Sequence, residues 1–132
     1  MMRIISVGKL RNKYLEKNFQ EYFKRIQKYA NVKQIIVKNE KQLIKQLKGY
    51  VVVLDEHSSQ KKSKQFATLI KDKSNISFVI GAAEGLSSEI KNKADEMLSL
   101  SKMTFPHQLI KVFLAEQIYR AFTIIKNENY HK

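Results

Sequence analysis

Four side chains in the last third of the chain are of types that could do chemistry: His107, Arg120, Tyr130 and His131. His107 follows the chain's only proline, in Thr104-Phe105-Pro106-His107, at the start of a long apolar segment that reads as a helix. Proline suits the first helical position, so His107 falls in the first turn, where the helix dipole disfavours the imidazolium form. A neutral histidine there serves as a base or hydrogen-bond acceptor, or simply helps to cap the helix. Arg120, one of four arginines, lies further along the same helix, roughly 20 Å from His107 at the α-helical rise. It suits a phosphate, and equally an ion pair across a dimer. Tyr130-His131-Lys132 ends the chain. An aromatic followed by a histidine fits stacking on a base or touching a phosphate better than it fits a disordered tail. The three histidines have no ligand spacing and cysteine is absent, so no metal site is expected. His57 stands in no motif and reads as a loop residue.

These groups need elements to hold them. Residues 3–8 read as a short buried strand. Residues 12–29 show helical periodicity, with Leu15, Phe19, Tyr22, Phe23 and Ile26 on one face and Lys13, Lys17, Lys24 and Lys28 elsewhere. Residues 32–38 form a β-branched strand, and 40–48 a short helix stopped by Gly49. Tyr50 to Asp55 is a continuous apolar run, as in a central parallel strand covered on both faces. A basic helix is expected over 58–73, a central strand over 76–81, a helix over 87–96 with Ser87 as N-cap, and a last short strand over 97–101. The closing helix runs from 107 to about 127. The alternation makes the class α/β, a mostly parallel sheet flanked by helices, and the length fits a single domain over 1–132.

Ligands of open parallel sheets bind beyond the C-terminal strand ends. Leu54, Gly81 and the Leu100–Phe105 segment are therefore expected along one sheet edge. The turn Gly81-Ala82-Ala83-Glu84-Gly85-Leu86 lies between a strand and a helix and lets backbone approach a ligand, but it carries neither the dinucleotide nor the P-loop fingerprint. Asp55, at the end of its strand, reads equally as a site residue or a solvated loop residue. The closing helix is apolar over more than half its circumference, which exceeds one buried stripe. A homodimer through it, rather than full burial within so short a chain, is the expected cover.

The formal net charge is +13, and 43% of residues are hydrophobic. The charge is lopsided: residues 1–50 carry 13 Lys/Arg against 3 Asp/Glu. That excess points to a polyanion, either nucleic acid or an anionic membrane, with nucleic acid favoured. No apolar run approaches a membrane span, and the first residues read as a strand rather than a signal peptide. A soluble, cytoplasmic protein is expected.

Taken in order, Ile4-Ile5-Ser6-Val7-Gly8-Lys9-Leu10, Val53-Leu54-Asp55, Phe78-Val79-Ile80-Gly81 with Glu84-Gly85-Leu86, Leu98-Ser99-Leu100-Ser101 through His107, Glu116-Gln117-Ile118-Tyr119-Arg120-Ala121 and the Tyr130-His131-Lys132 ending resemble the RlmH family. These are SPOUT-class methyltransferases of large-subunit ribosomal RNA. The Thr-Phe-Pro-His segment, the Tyr-Arg-Ala helix and the Tyr-His ending are the specific parts. The strand and glycine matches alone are not.

The resemblance implies a C-terminal trefoil knot, a homodimer with the pocket at the subunit interface, and S-adenosylmethionine as cofactor. By correspondence, Leu54, Gly81, Leu100, Ser101, Lys102, Met103, Thr104 and Phe105 would hold the cofactor, while His107, Arg120, Tyr130 and His131 line the target pocket. The implied reaction is methylation of N3 of a pseudouridine in helix 69 of 23S ribosomal RNA. His107 or His131 would assist proton removal, Arg120 would hold phosphate or orient the base, and Tyr130 would stack on it. Two features depart from the family: Ala82 stands where a second glycine is usual, and the chain is shorter, before Leu54 and between Asp55 and Asn75. The competing readings are a non-catalytic basic ribosome-binding module and a SPOUT enzyme acting on transfer RNA.

Overall fold

A computed structural model describes all residues, 1–132. The apolar runs become a five-stranded sheet: β1 (Met2–Val7), β2 (Val32–Val37), β3 (Tyr50–Leu54), β4 (Ile76–Ile80) and β5 (Glu96–Leu98), in the order β2-β1-β4-β3-β5. Every pairing is parallel. β4 is buried along its whole length and β3 over its three valines, which is why both read as unbroken apolar runs rather than alternating ones. Neighbouring β4, β3 and β5 end together, since Leu54 pairs Leu98 and Val53 pairs Val79.

Helices cover both faces. On one, α1 (Lys13–Gln27), α3 (Ser63–Asp72) and α5 (His107–Ile125) pack over Ile4, Val52, Phe78 and Ile80. On the other, α2 (Glu40–Gln46) and α4 (Ser88–Asn92) cover Ile5, Val51, Val53 and Val79 through Leu43 and Ile90. Each such fully buried side chain stabilises the fold by about 1.5–3 kcal/mol in transfer terms. α5 lies between α1 and α3, and none of its large apolar residues is left fully open to solvent. Much of its apolar surplus is thus covered within the chain, while Leu109, Ile110, Phe113 and Phe122 stay half-buried. The helix is not long and apolar enough to cross a membrane, nor is any other.

Helix ends follow side-chain hydrogen bonds. Asn12 caps α1 by accepting from the N–H groups of Tyr14 and Leu15, and Asn39 caps α2 by accepting from Gln42. Four details at these element ends differ from expectation. α3 begins at Ser63 rather than 58, because Ser58 donates to Asp55 and Gln60 pairs with Ser99 ahead of it. β5 stops at Leu98 because Ser99 turns its hydroxyl onto the Ser101 carbonyl, 2.6 Å away. Pro106 is the N-cap of α5, one position before the first helical residue, which is His107. Ser87 holds the N-cap position of α4 but spends its hydroxyl and its N–H on the Glu40 carboxylate of α2.

Candidate functional site

The three strand ends open into a cavity of about 440 Å³. Its floor is Leu54, Ile80 and Leu98; one wall is the turn from Gly81 to Leu86; the other is the loop from Ser99 to Phe105, with His107 and Ile110 of α5 at its side. Seven of the eight residues expected at a cofactor pocket line it: Leu54, Gly81, Leu100, Ser101, Met103, Thr104 and Phe105. Lys102 is exposed and stands outside the lining.

The loop is built from its own serines. Ser99 Oγ accepts from the Ser101 N–H at 3.3 Å, and Ser101 Oγ accepts from the Met103 N–H at 2.9 Å. The N–H groups of Leu100, Lys102, Thr104 and Phe105 have no partner in the chain. Backbone donors need partners, so this loop offers a row of them beside an apolar floor, which is the composition of a small-molecule pocket. Phe105 is steadied edge-on against Phe113, with ring centroids 5.1 Å apart.

On the facing wall, the Gly85 N–H donates to the Ala82 carbonyl at 2.9 Å, closing a tight turn with Gly85 at φ +81°. Gly81 is needed for space instead: a Cβ there would stand 2.8 Å from Leu86 Cγ. Ala82 and Ala83 both border the cavity. Asp55 is a wall residue rather than a solvated one, accepting from Ser58 Oγ at 2.8 Å with Lys91 Nζ at 3.7 Å. His57 sits at the rim, its side chain 84% exposed.

The remaining three expected site residues assemble at the other end of α5. Glu116 and Arg120 form an i,i+4 pair, with Glu116 Oε2 accepting from Arg120 Nη2 at 2.8 Å and Nε bonding both carboxylate oxygens at 3.1 Å. The chain end folds back onto this pair. Tyr130 donates its hydroxyl to Glu116 Oε2 at 3.0 Å, and its ring lies under the guanidinium at 5.0 Å. Arg120 Nη1 donates to His131 Nδ1 at 3.0 Å. Burial, with the Glu116 bond second, pushes the Tyr130 phenol well above its ordinary value, so it is a donor and not a phenolate. The bond to Glu116 holds the Arg120 guanidinium protonated even more firmly than usual.

Arg120 therefore makes an ion pair inside the chain, with Glu116 one helical turn before it. Glu116, which has no evident role in the sequence alone, is the acceptor that joins Arg120 and Tyr130. The signal was its i,i+4 spacing to a lone arginine on an apolar helix. His107 stands apart from this cluster, at the opposite end of a rigid helix. No set of three or more His, Asp or Glu side chains is gathered to hold a metal ion.

Comparison with known proteins decides the family. The sequence model described as "Predicted SPOUT methyltransferase" matches residues 1–131. The chain belongs to the SPOUT methyltransferase family. Proteins named "Ribosomal RNA large subunit methyltransferase H" from Exiguobacterium sp. and Clostridium kluyveri are each 43% identical to it, with 98% of both chains covered. Those matches run over 155 residues against 132 here, so this SPOUT chain is a shortened one. Among solved structures, a probable methylase family protein from Haemophilus influenzae superposes with a TM-score of 0.68 at 11% identity, covering 99% of this chain and 70% of that one. A putative methyltransferase from Legionella pneumophila, Lpg2936, solved with bound SAM, superposes at 0.52 and 10% identity, covering 91% and 66%. These two likenesses concern the SPOUT fold alone.

Proposed function

We propose that this protein is an S-adenosylmethionine-dependent methyltransferase of large-subunit ribosomal RNA, acting on N3 of a pseudouridine in helix 69 as a homodimer in the cytoplasm. Supporting the substrate are the names of relatives matched end to end and the formal charge of +13. We take residues 1–132 as one domain and extend to it the family's C-terminal trefoil knot, on the strength of the full-length match.

The single observation that carries the reading is the cavity over the ends of β4, β3 and β5. Its size and composition fit an adenosine-bearing cofactor: an apolar floor to cover the adenine and a loop of unpaired N–H groups to read its edge. Leu54, Gly81, Leu100, Ser101, Met103, Thr104 and Phe105 would hold it, with Lys102 contributing at most its backbone. When bound, S-adenosylmethionine supplies an electrophilic methyl group on a cationic sulfur.

The chain's residues then have separable tasks. N3 of the base must lose a proton before it can attack, and the position of His107 at the pocket's side supports it as the acceptor. His131 is the other ring available, but its Nδ1 already accepts from Arg120, which leaves Nε2 carrying a proton and able only to donate. We therefore assign proton removal to His107. Arg120 keeps N–H groups beyond those used by Glu116 and His131, and these orient the base or its phosphate. Tyr130, T-shaped against Tyr119 at 4.7 Å between centroids, offers a fixed face for the substrate. Orientation of this kind supplies much of the acceleration in a transfer reaction.

His107 and Arg120 are about 20 Å apart along one helix, so one chain cannot bring both onto one base. A second copy, bringing its Arg120, Tyr130 and His131 to the first copy's pocket, completes the site. This division of the residues between the two ends of α5 supports a homodimer.

The test is label transfer from S-adenosylmethionine to intact ribosomes, free large subunits or transfer RNA, followed by mapping of the label. Transfer to a helix 69 pseudouridine on ribosomal particles is expected. Label on transfer RNA would move the substrate assignment, and absence of transfer to every RNA would favour the non-catalytic module.

A further inference from the structure

The lysines of α1 form a pattern that the site does not use. Lys13, Lys17, Lys24 and Lys28 are all exposed. At about 100° per residue they fall within an arc of about 60°, and they span roughly 22 Å of helix axis. Their stripe lies opposite the buried Phe19, Phe23 and Ile26. No carboxylate pairs with any of the four. Two acids lie near: Glu16, which accepts from Gln20, and exposed Glu21 at the stripe's margin.

What gives the stripe direction is the course of α1 along α5. At one end the Asn12 N–H donates to Gln108 Oε1 at 3.3 Å, one residue from His107. At the other, Tyr29 stacks on Phe122 with ring centroids 5.4 Å apart and donates to Glu128 at 2.8 Å, beside the Arg120 cluster. α1 thus runs parallel to α5 and joins the His107 end of the molecule to the Arg120 end. An unpaired cation row of that length, linking both clusters, complements a phosphate backbone.

We propose that this face of α1 is the RNA-docking surface, with Lys13 and Lys17 holding phosphates at the His107 end and Lys24 and Lys28 holding phosphates about 16 Å further along. The inference rests on the reading of the protein as an RNA methyltransferase and adds where the RNA is gripped. Lysine recognises phosphate as a point charge, so the contact secures position and affinity without reading sequence.

The experiment compares a variant carrying K13Q, K17Q, K24Q and K28Q with a control of equal charge carrying K41Q, K45Q, K64Q and K71Q on α2 and α3. Glutamine keeps the helix propensity of lysine. Binding to purified large subunits and to a short RNA hairpin is measured against salt. For the α1 variant, the slope of log K against log salt falls by about 3 and affinity at moderate salt weakens roughly tenfold or more. The control changes far less, and both bind S-adenosylmethionine like wild type. Equal effects of the two variants, or wild-type RNA affinity in the α1 variant, would overturn the proposal. So would loss of binding to phosphatidylserine vesicles with RNA affinity intact. Because binding is read without turnover, a wild type that fails to methylate ribosomal RNA would sink the proposed function while the stripe is still judged on its own.

Discussion

Arg120 and His131 share a hydrogen bond of 3.0 Å between Nη1 and Nδ1. A guanidinium has no lone pair to give, so the histidine accepts, and its proton resides on Nε2. The chain's penultimate residue is thereby fixed in tautomer and position by a helix residue that Glu116 itself anchors. His131→Asn, whose side-chain oxygen can still accept, is expected to keep most of the turnover, whereas His131→Ala loses roughly tenfold or more. Single-turnover methyl transfer at saturating cofactor measures both.

Glu116 is the hub of that cluster, since Arg120 and Tyr130 both donate to it. Glu116→Gln removes the charge and leaves the Arg120 guanidinium unpaired in a half-buried setting. A fall of roughly a hundredfold in turnover is expected from misplacement of Arg120 and Tyr130, with affinity for S-adenosylmethionine unchanged because the cavity is at the other end of α5. Equal loss of cofactor affinity would contradict the separation of the two clusters.

Lys111 is a cost without a visible return inside one chain. It is 3% exposed, its Nζ has no hydrogen-bond partner, and it lies 4.7 Å from the Phe19 ring centroid. Burial lowers its pKa, opposed by Glu16. Lys111→Met fills the same space without the charge and is expected to raise stability by about 1–2 kcal/mol at neutral pH. The unfolded chain holds this proton up to about pH 10.5, whereas the folded chain releases it earlier. Between those two values the unfolded state binds more protons, so wild-type stability rises with pH. Denaturant melts should show the advantage of the variant shrinking as pH 10.5 is approached.

Gly81 and Gly85 answer to different constraints. Gly81→Ala drives a methyl into Leu86 at the cavity wall and should cost about 1–3 kcal/mol together with cofactor affinity. Gly85→Ala meets nothing within 4 Å but sits at φ +81°, so it should cost about 1 kcal/mol and leave affinity nearer wild type. Thermal melts with and without S-adenosylmethionine separate the two.

If the site is shared between copies, two dead variants should rescue one another. Mixing His107→Ala with Arg120→Ala leaves one intact pairing in each mixed dimer, which predicts recovery to about a quarter of wild-type activity at equal proportions. No recovery after subunit exchange would mean that each chain works alone.

Much of this was legible in the sequence. The apolar runs at Tyr50–Leu54 and Ile76–Ile80 announced buried central strands, and the rule that ligands gather at C-terminal strand ends brought Leu54, Gly81 and the loop after Leu98 together. What the residues alone did not reveal was long-range and side-chain-driven. The return of Tyr130 and His131 onto Glu116 depends on a fold-back that no local periodicity records. Likewise, Ser99 ends β5 through a hydroxyl bond to Ser101, and Ser58 with Gln60 delays α3, where propensity favoured continuing both elements. The cover that α1 and α3 provide for α5 was also out of reach, since periodicity gives the width of an apolar stripe but not what lies against it.

Cofactor binding in the cavity at the sheet edge is the property on which every other role depends. Calorimetric titration of the purified protein with S-adenosylmethionine should give saturable heat that Gly81→Ala weakens and Lys64→Gln leaves intact. A wild-type titration with no heat beyond dilution, or binding indifferent to Gly81, would contradict it.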